Sequence, residues 1–211
     1  QVTVEQCDCV GEECYVKFGS GAVTAGPGGP CEVVDNGSGS VDLPPDGCDY
    51  LSPQEVHKII DGLPAGTEIH LAPIHKDFIC RKGQQGVCSF LDVDCKEDGG
   101  DLGGEKECSS STLEFQATSI GLGGWARPIV IPNVQFETHI GKKKPFEPVQ
   151  SFPTEMFRLQ GQIGDDVGIG DPDFDLLRIR AGTDFGMPSP GHTTLTRLPN
   201  GNWAVDSFFD I

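Results

Sequence analysis

The chain has 211 residues, a formal net charge of −17, and an unusual load of 29 glycines and 16 prolines. This length allows one large domain or two small ones, and the composition favours short strands and turns over long helices. The acid excludes nucleic acid and bare anionic membranes as natural partners, and no segment approaches the roughly 18 apolar residues of a membrane-spanning helix.

The charge is uneven. Residues 1–112 carry 20 acids against 7 lysines and arginines, and residues 113–211 carry 12 against 8. Solubility is the plain reading of this excess, and divalent cation binding is the sharper one. The cysteines are uneven too. Cys7, Cys9, Cys14, Cys31, Cys48, Cys80, Cys88, Cys95 and Cys108 all fall in the first 108 residues, and the rest of the chain has none. The sequence therefore reads as a Cys-rich, loop-rich region over 1–111 and a Cys-free antiparallel β region over 112–211, joined in one continuous body. A reducing cytosol would leave nine thiols to be explained one by one, so disulfides in an oxidising compartment are the expectation. The C-x-C-x4-C opening could supply thiolates, but no CxxC pair with zinc-ribbon spacing accompanies it. Nine is odd, so one cysteine is expected to be free or bonded between chains. A start at Gln1 rather than Met reads as a processed, secreted chain.

In chain order, AGPGGP (25–30) and DNGSGS (35–40) are turns, the second holding the glycosylation-type triplet Asn36-Gly37-Ser38. A short α-helix is predicted at about 52–61. Ser52 caps it, Pro53 opens it, Glu55 completes a capping box, Leu51 can staple onto Val56, and Gly62 ends it. Val56, Ile59 and Ile60 form its apolar stripe. Residues 68–71 alternate as a short strand. Residues 80–108 are too polar to pack without cross-links.

From Thr112 onward the period is two, the mark of half-buried strands. Leu113, Phe115 and Ala117 alternate with Glu114, Gln116 and Thr118. Val134, Phe136, Thr138 and Ile140 alternate with Gln135, Glu137 and His139, and Phe157, Leu159 and Ile163 with Arg158, Gln160 and Gln162. A hairpin closes the chain, with strands at 193–198 and 203–211 around Asn200-Gly201, the favoured type I′ dipeptide. Trp203, Val205, Phe209 and Ile211 share one face of its second strand, and Phe208 breaks the alternation. The predicted fold is mainly β: a disulfide-stapled antiparallel β-sandwich with one short helix.

Three stretches carry a resemblance: GCDYLSPQEVHKIIDGLPAGTEIHLAPIHKDFIC, PVQSFPTEMFRLQGQI with GDPDFDLLRIRAG, and SPGHTTLTRLPNGNWAVDSFFDI. Over roughly 31–211 the chain resembles a group of uncharacterised secreted proteins of environmental bacteria. The resemblance implies an exported, β-rich protein and carries over no activity or functional residue. In that group a further strand follows DSFFDI, which implies that this sequence is a fragment or that another chain completes its last edge.

Candidate chemistry is sparse. His57, His70 and His75, with Asp61 or Asp77, could form a metal or acid–base cluster, although His57 and Asp61 are also an ordinary helix-surface pair. Ser189-Pro190-Gly191-His192 places a serine near a histidine, but without a GxSxG elbow it reads as a strand-entry turn. Asp165, Asp166, Asp171, Asp173 and Asp175 lie in glycine-rich chain of the kind that holds structural calcium, against the plainer reading of a solvated turn. Asp92, Asp94 and Asp98 open with the rhythm of an EF-hand that Lys96 spoils. Lys142, Lys143 and Lys144 read as a solvated hairpin tip or as a dock for an acidic patch such as 92–107 on another copy.

The expectation drawn from these signals is a non-enzymatic extracellular structural protein of a surface layer, matrix or filament. It would self-associate, or take another extracellular protein, by strand addition at an edge formed by Trp203, Val205, Phe208, Phe209 and Ile211. Two alternatives stand beside it: a carbohydrate- or ligand-binding secreted module with Trp125 or Trp203 as platform, and a secreted metal-dependent hydrolase using His57, His70 or His75.

Overall fold

The computed structural model describes residues 7–10, 13–17, 22–25, 31–35, 37–45, 48–51, 55–58, 68–71, 74–80, 102–119, 125–164, 168–171 and 176–210. The strands are β1 (Cys7–Val10), β2 (Glu13–Lys17), β3 (Ala22–Ala25), β4 (Cys31–Val33), β5 (Tyr50–Leu51), β6 (Glu55–Lys58) and β7 (Glu68–Leu71) in the first part of the chain. They continue with β8 (Ile74–Cys80), β9 (Gly103–Ser119), β10 (Trp125–Gly141), β11 (Val149–Gly164), β12 (Leu176–Ala181), β13 (Pro190–Arg197) and β14 (Trp203–Asp210). A 3-10 turn spans Thr183–Phe185.

All but β6 and β7 belong to one curled sheet, whose pairing runs β1-β2-β12-β11-β10-β9-β8-β5-β3-β14-β13. Because β13 also pairs with β11, the path returns on itself and encloses an eight-stranded antiparallel ring. Closure of this kind removes edges and gives the sheet an inside. The mainly β expectation holds, but the layers expected of a sandwich are walls of one sheet. β11 makes closure possible through its length: 149–155 pair with β13, and 159–164 pair with β12 on the same side.

The alternation read from sequence places the core. Leu113, Phe115, Ile129, Ile131, Val134, Phe136, Met156, Leu159, Ile163 and Phe209 are buried in one cluster, and Leu43, Ile140, Phe152, Leu195, Trp203 and Val205 in a second. A hydroxyl chain crosses the interior: Tyr50 Oη donates to Ser207 Oγ at 3.0 Å, and Thr193 Oγ1 lies 2.8 Å from the same oxygen. Mutual satisfaction makes those buried hydroxyls tolerable.

Four local expectations are corrected. The helix at 52–61 is not formed over Glu55–Lys58, which is β6, paired antiparallel with β7; residues 52–54 and 59–61 lie outside the described set. A helix this short is marginal without packing, and Val56 is β-branched, so a partner strand can override the caps. In β10 and β11 the strict alternation breaks at a bulge, where Glu137 faces Arg158 and Thr138 faces Met156, leaving Phe157 as the extra residue. The bulge flips parity, so Phe152, Thr154 and Met156 point inward before it and Leu159 and Ile163 after it. The last hairpin is not type I′. Only Gly201 takes a positive φ, of 90°, and its N–H donates to Leu198 O at 2.9 Å, so a tight turn around Pro199-Asn200 precedes a left-handed glycine.

The fourth correction concerns the expected assembly edge. β14 is interior to the sheet: β13 flanks it on one side, and β3 and β4 pair with it on the other. Trp203 is 0% exposed, Val205 and Phe209 are equally enclosed, and Phe208, at 41%, simply faces outward with Asp206 and Asp210. Ile211 lies outside the described residues. Strand addition at this position is therefore blocked by the chain's own strands. Truncating the centre of this wall, Trp203→Ala, is expected to cost about 3–5 kcal/mol in urea denaturation, whereas Phe208→Ala should stay near 1 kcal/mol or below.

Candidate binding groove

A shallow, open groove lies where the β13–β14 turn meets the 35–40 loop. It encloses about 400 Å³ and is lined by Asp35, Gly37, Gly39, Phe146, Arg197, Asn200, Gly201 and Asn202. Local chemistry builds each wall. Asp35 Oδ1 accepts the N–H of Gly37 at 2.7 Å, an Asx turn that starts the glycine-rich loop. Gly39 O accepts the N–H of Phe146 at 2.8 Å and Nε2 of buried Gln150 at 2.7 Å, while Ser40 Oγ donates to Gln150 Oε1 at 3.0 Å.

Phe146 holds the opposite rim at φ 71°, a left-handed conformation that is costly for an aromatic residue. Its ring lies against Gly39, where an added Cβ would come within 2.6 Å of it, yet 71% of the residue is exposed. One side of the ring is thus supported by backbone, and the rest is open to solvent.

The floor is polar and pre-ordered. Asp35 Oδ2 accepts from Trp203 Nε1 at 3.3 Å and pairs with Arg197 at 3.3 Å, and the Arg197 guanidinium sits 5.5 Å from the Trp203 ring centroid. Asn200 Nδ2 and Asn202 Nδ2 each donate to Glu32 Oε1 at 2.7 Å, and the N–H of Asn202 donates to Asn200 Oδ1 at 3.0 Å. Hydrogen bonds from Asn202 and Asn200 hold the Glu32 carboxyl below its ordinary range.

The residues singled out from sequence are mostly dispersed. Cys31 and Cys48 form a disulfide, and Cys108 is also disulfide-bonded. Cys7 and Cys9 lie on β1, Cys14 on β2 and Cys80 on β8; Cys88 and Cys95 lie outside the described residues. Of the calcium candidates, Asp171 is described and forms an ion pair with Arg127; Asp165, Asp166, Asp173 and Asp175 lie outside the described set. The pairing places His57 and His70 on the neighbouring strands β6 and β7, whereas His75 is buried on β8 against Phe136, ring to ring at 5.5 Å. Asp77 is on β8, and Asp61 lies outside the described residues. Among the described residues, no group of three or more His, Cys, Asp or Glu is placed to hold a metal ion, and no helix is long and apolar enough to cross a membrane.

Ser189 does not meet His192. It is buried, and its Oγ donates to Met187 O at 3.3 Å. Instead His192 Nε2 lies 2.7 Å from Ser151 Oγ across β11 and β13. That pair sits on the sheet surface between the paired strands β11 and β13. Trp203 is buried and cannot serve as a platform; Trp125 lies on β10.

The lysine run is not simply a solvated tip. Lys143 has a side chain only 6% exposed and donates to Val41 O at 2.9 Å, Glu105 Oε2 at 2.8 Å and Glu107 Oε1 at 3.2 Å. Glu107 Oε2 accepts the N–H of Leu43 at 3.0 Å. The lysine thus meets the acidic stretch of its own chain. Burial opposes its charge, but Glu107 and Glu105 outweigh that and hold its pKa above the ordinary lysine value. A second polar cluster anchors the 3-10 turn: His139 Nε2 lies 2.8 Å from Glu137 Oε1, Phe157 stacks on His139 at 4.3 Å, Thr183 bonds Glu155, and Arg158 pairs with Asp184.

Two outcomes follow. Lys143→Met removes the ammonium shared by Glu105 and Glu107 from a buried site and is expected to cost about 3–5 kcal/mol in chemical denaturation. In the parent, the ammonium's contribution is complete below 10.5 and is lost as pH rises through the raised folded value. His75 behaves oppositely. Burial pushes its imidazole down from 6.5 to about 4, so between these values the unfolded state binds the extra proton. Stability should fall by up to about 3 kcal/mol as pH drops across that window. His75→Leu should remove this part of the slope in pH-dependent urea melts.

No protein-family model, no curated protein and no solved structure matches the chain, so its function must be read from its own groove and surface.

Proposed function

We propose that this chain is a non-enzymatic extracellular protein of a surface layer or matrix that acts by binding, with the groove at the β13–β14 turn as its contact point. One observation carries the reading: an aromatic ring held out to solvent at a strained backbone position, on the rim of a groove with a pre-ordered polar floor. Backbone strain persists where the surroundings impose it, and it clusters at functional sites. A concave site with an apolar surface and a few convergent polar groups is the usual form of a ligand site. The Cys31–Cys48 disulfide and the bonded Cys108 fit an oxidising compartment.

The other readings have less support. Edge-strand self-assembly through Trp203, Val205 and Phe209 would require displacing β3 and β4. Hydrolysis through His75 would need an imidazole that is buried against Phe136 to reach substrate.

The floor also supplies a reporter, because Asp35 and Arg197 both touch Trp203, one of only two tryptophans in the chain. Neutral saccharides, acidic saccharides, short peptides and quaternary amines are to be titrated while tryptophan emission is followed. At least one class is expected to shift the emission of the parent and leave Phe146→Gly unchanged. Glycine relieves the positive φ, so this variant should keep its stability within about 1 kcal/mol. Silence of the parent toward every class would overturn the binding reading.

A further inference from the structure

We infer that the occupant of this groove is a neutral saccharide, with a pyranose ring stacked on Phe146 and its hydroxyls read by Asn200, Asn202, Arg197 and Asp35. The inference rests on the binding reading above and adds the chemical class of the ligand.

Charge narrows the choice first. Among the described residues that line the groove, Arg197 is the one cation; Asp35 already pairs with it, and Glu32 stands behind the two asparagines as a second carboxylate. An anionic ligand would meet two carboxylates against one compensated guanidinium, on a chain of net charge −17. Charge does not repel a cation, but the N–H donors of Asn200, Asn202 and Arg197 offer a quaternary amine nothing that it can accept, and this counts against it. A neutral ligand meets neither penalty.

Hydrogen-bonding pattern narrows it further. Each amide spends one N–H on Glu32 and keeps the second, and Asn202 keeps its side-chain Oδ1, its main-chain oxygen being taken by the N–H of Leu198. The guanidinium of Arg197 has five N–H donors, of which the ion pair with Asp35 occupies few. The floor therefore carries both donors and acceptors, and a hydroxyl, which both gives and takes a hydrogen bond, suits that mixture. Adjacent hydroxyls on a rigid ring suit it better, because the floor is ordered before binding and little entropy is lost in arranging it.

The rim supplies the remaining feature. Phenylalanine has no polar handle, so the open side of the Phe146 ring selects an apolar surface. The negative face of an aromatic ring favours the weakly positive C–H bonds of a partner. A pyranose presents such a C–H face on one side and hydroxyls around its edge, which matches a platform set above a polar floor. Gly37 and Gly201, at φ 88° and 90°, line the groove, and a Cβ at either would meet no other atom within 4 Å.

The test is calorimetric titration of the full chain with neutral disaccharides (cellobiose, maltose and chitobiose), a uronic-acid disaccharide and choline. Binding of at least one neutral sugar is expected, with affinity changing less than about two-fold between 0.05 and 0.5 M NaCl, since no net charge is exchanged. Phe146→Gly should weaken it by roughly ten-fold or more and Phe146→Tyr by no more than a few-fold, as loss or retention of a stacking face predicts. Asn202→Ala, with Tm checked, should also weaken it several-fold. If the uronate or choline binds and no neutral sugar does, the saccharide inference fails while the binding reading stands. A neutral sugar that binds Phe146→Gly as tightly as the parent would remove the groove as its site. If tryptophan emission also stays silent toward every class, both readings fall together.

Discussion

The pairing of β13 with the first half of β11 is the contact on which the rest of the structure depends. Without it the strands would form a long open sheet, with an exposed row of amides at each end and no enclosed volume. With it, the inward face of every strand in the ring shares one interior, which is why Tyr50, Phe136, Met156 and Phe209 meet in a single cluster although sequence separates them widely. The length of β11 permits this, because one strand of sixteen residues can hand its edge from β13 to β12 midway. Pro153 sits inside the closing segment opposite His192, a place where one ladder hydrogen bond is forgone.

Two pairings make the groove. β4 pairs with the start of β14 and so brings the 35–40 loop beside the β13–β14 turn, while closure of β11 on β13, continued by the Arg197 N–H to Pro148 O bond, brings the Phe146 side to it. The Cys31–Cys48 bond ties both ends of the segment that carries the 35–40 loop, a sequence separation of 17, which limits the freedom of the loop in the unfolded chain. Trp203 is the pivot between core and groove: its ring fills the interior, and its indole N–H reaches Asp35 on the groove floor. Core packing and the polar floor are therefore not independent, and a ligand that disturbs Asp35 or Arg197 is felt at a core side chain.

Charge follows a similar logic. The acid that dominates the first half is not all solvated. Glu105 and Glu107 receive Lys143, and Glu107 also takes the N–H of Leu43, so the lysine joins β9 to the segment around 41–43. A buried ion pair of this kind contributes less to net stability than to specificity, because desolvation offsets much of its attraction. Here every donor of the ammonium has an oxygen partner, which is the condition under which burial is tolerated.

Much of the fold could be read from the residues. The alternation at Leu113–Phe115 and at Trp203–Val205 marks strands whose inward residues are buried as expected, and the strand at 68–71 is β7; at Val134–Ile140 the inward set is buried, but Glu137 and His139 from the expected outward set are buried as well. Such patterns are legible because a strand shows its two faces within a few residues. The failures occur where a distant partner decides. Caps around Ser52 and Gly62 describe a good isolated helix, yet β7 recruits Glu55–Lys58 as a strand. Parity across Phe157 depends on a bulge set by β10. Phe146 carries no periodic signal, and nothing local reveals that Gly39 would turn its ring outward beside Arg197.

By itself, then, the sequence determined a β-rich chain, the inward residues of its Cys-free half outside the bulge at Phe157, the position of its last hairpin and a preference for disulfides, since each follows from local period, turn residues or composition. Tertiary structure alone decided that the sheet closes, that β14 is a wall rather than an edge, that Lys143 is buried, and that Asp35, Phe146, Arg197 and Asn202 share one groove. The physical reason is range: strand pairing and burial couple residues more than a hundred positions apart, and no pattern within one segment encodes which partner it will meet.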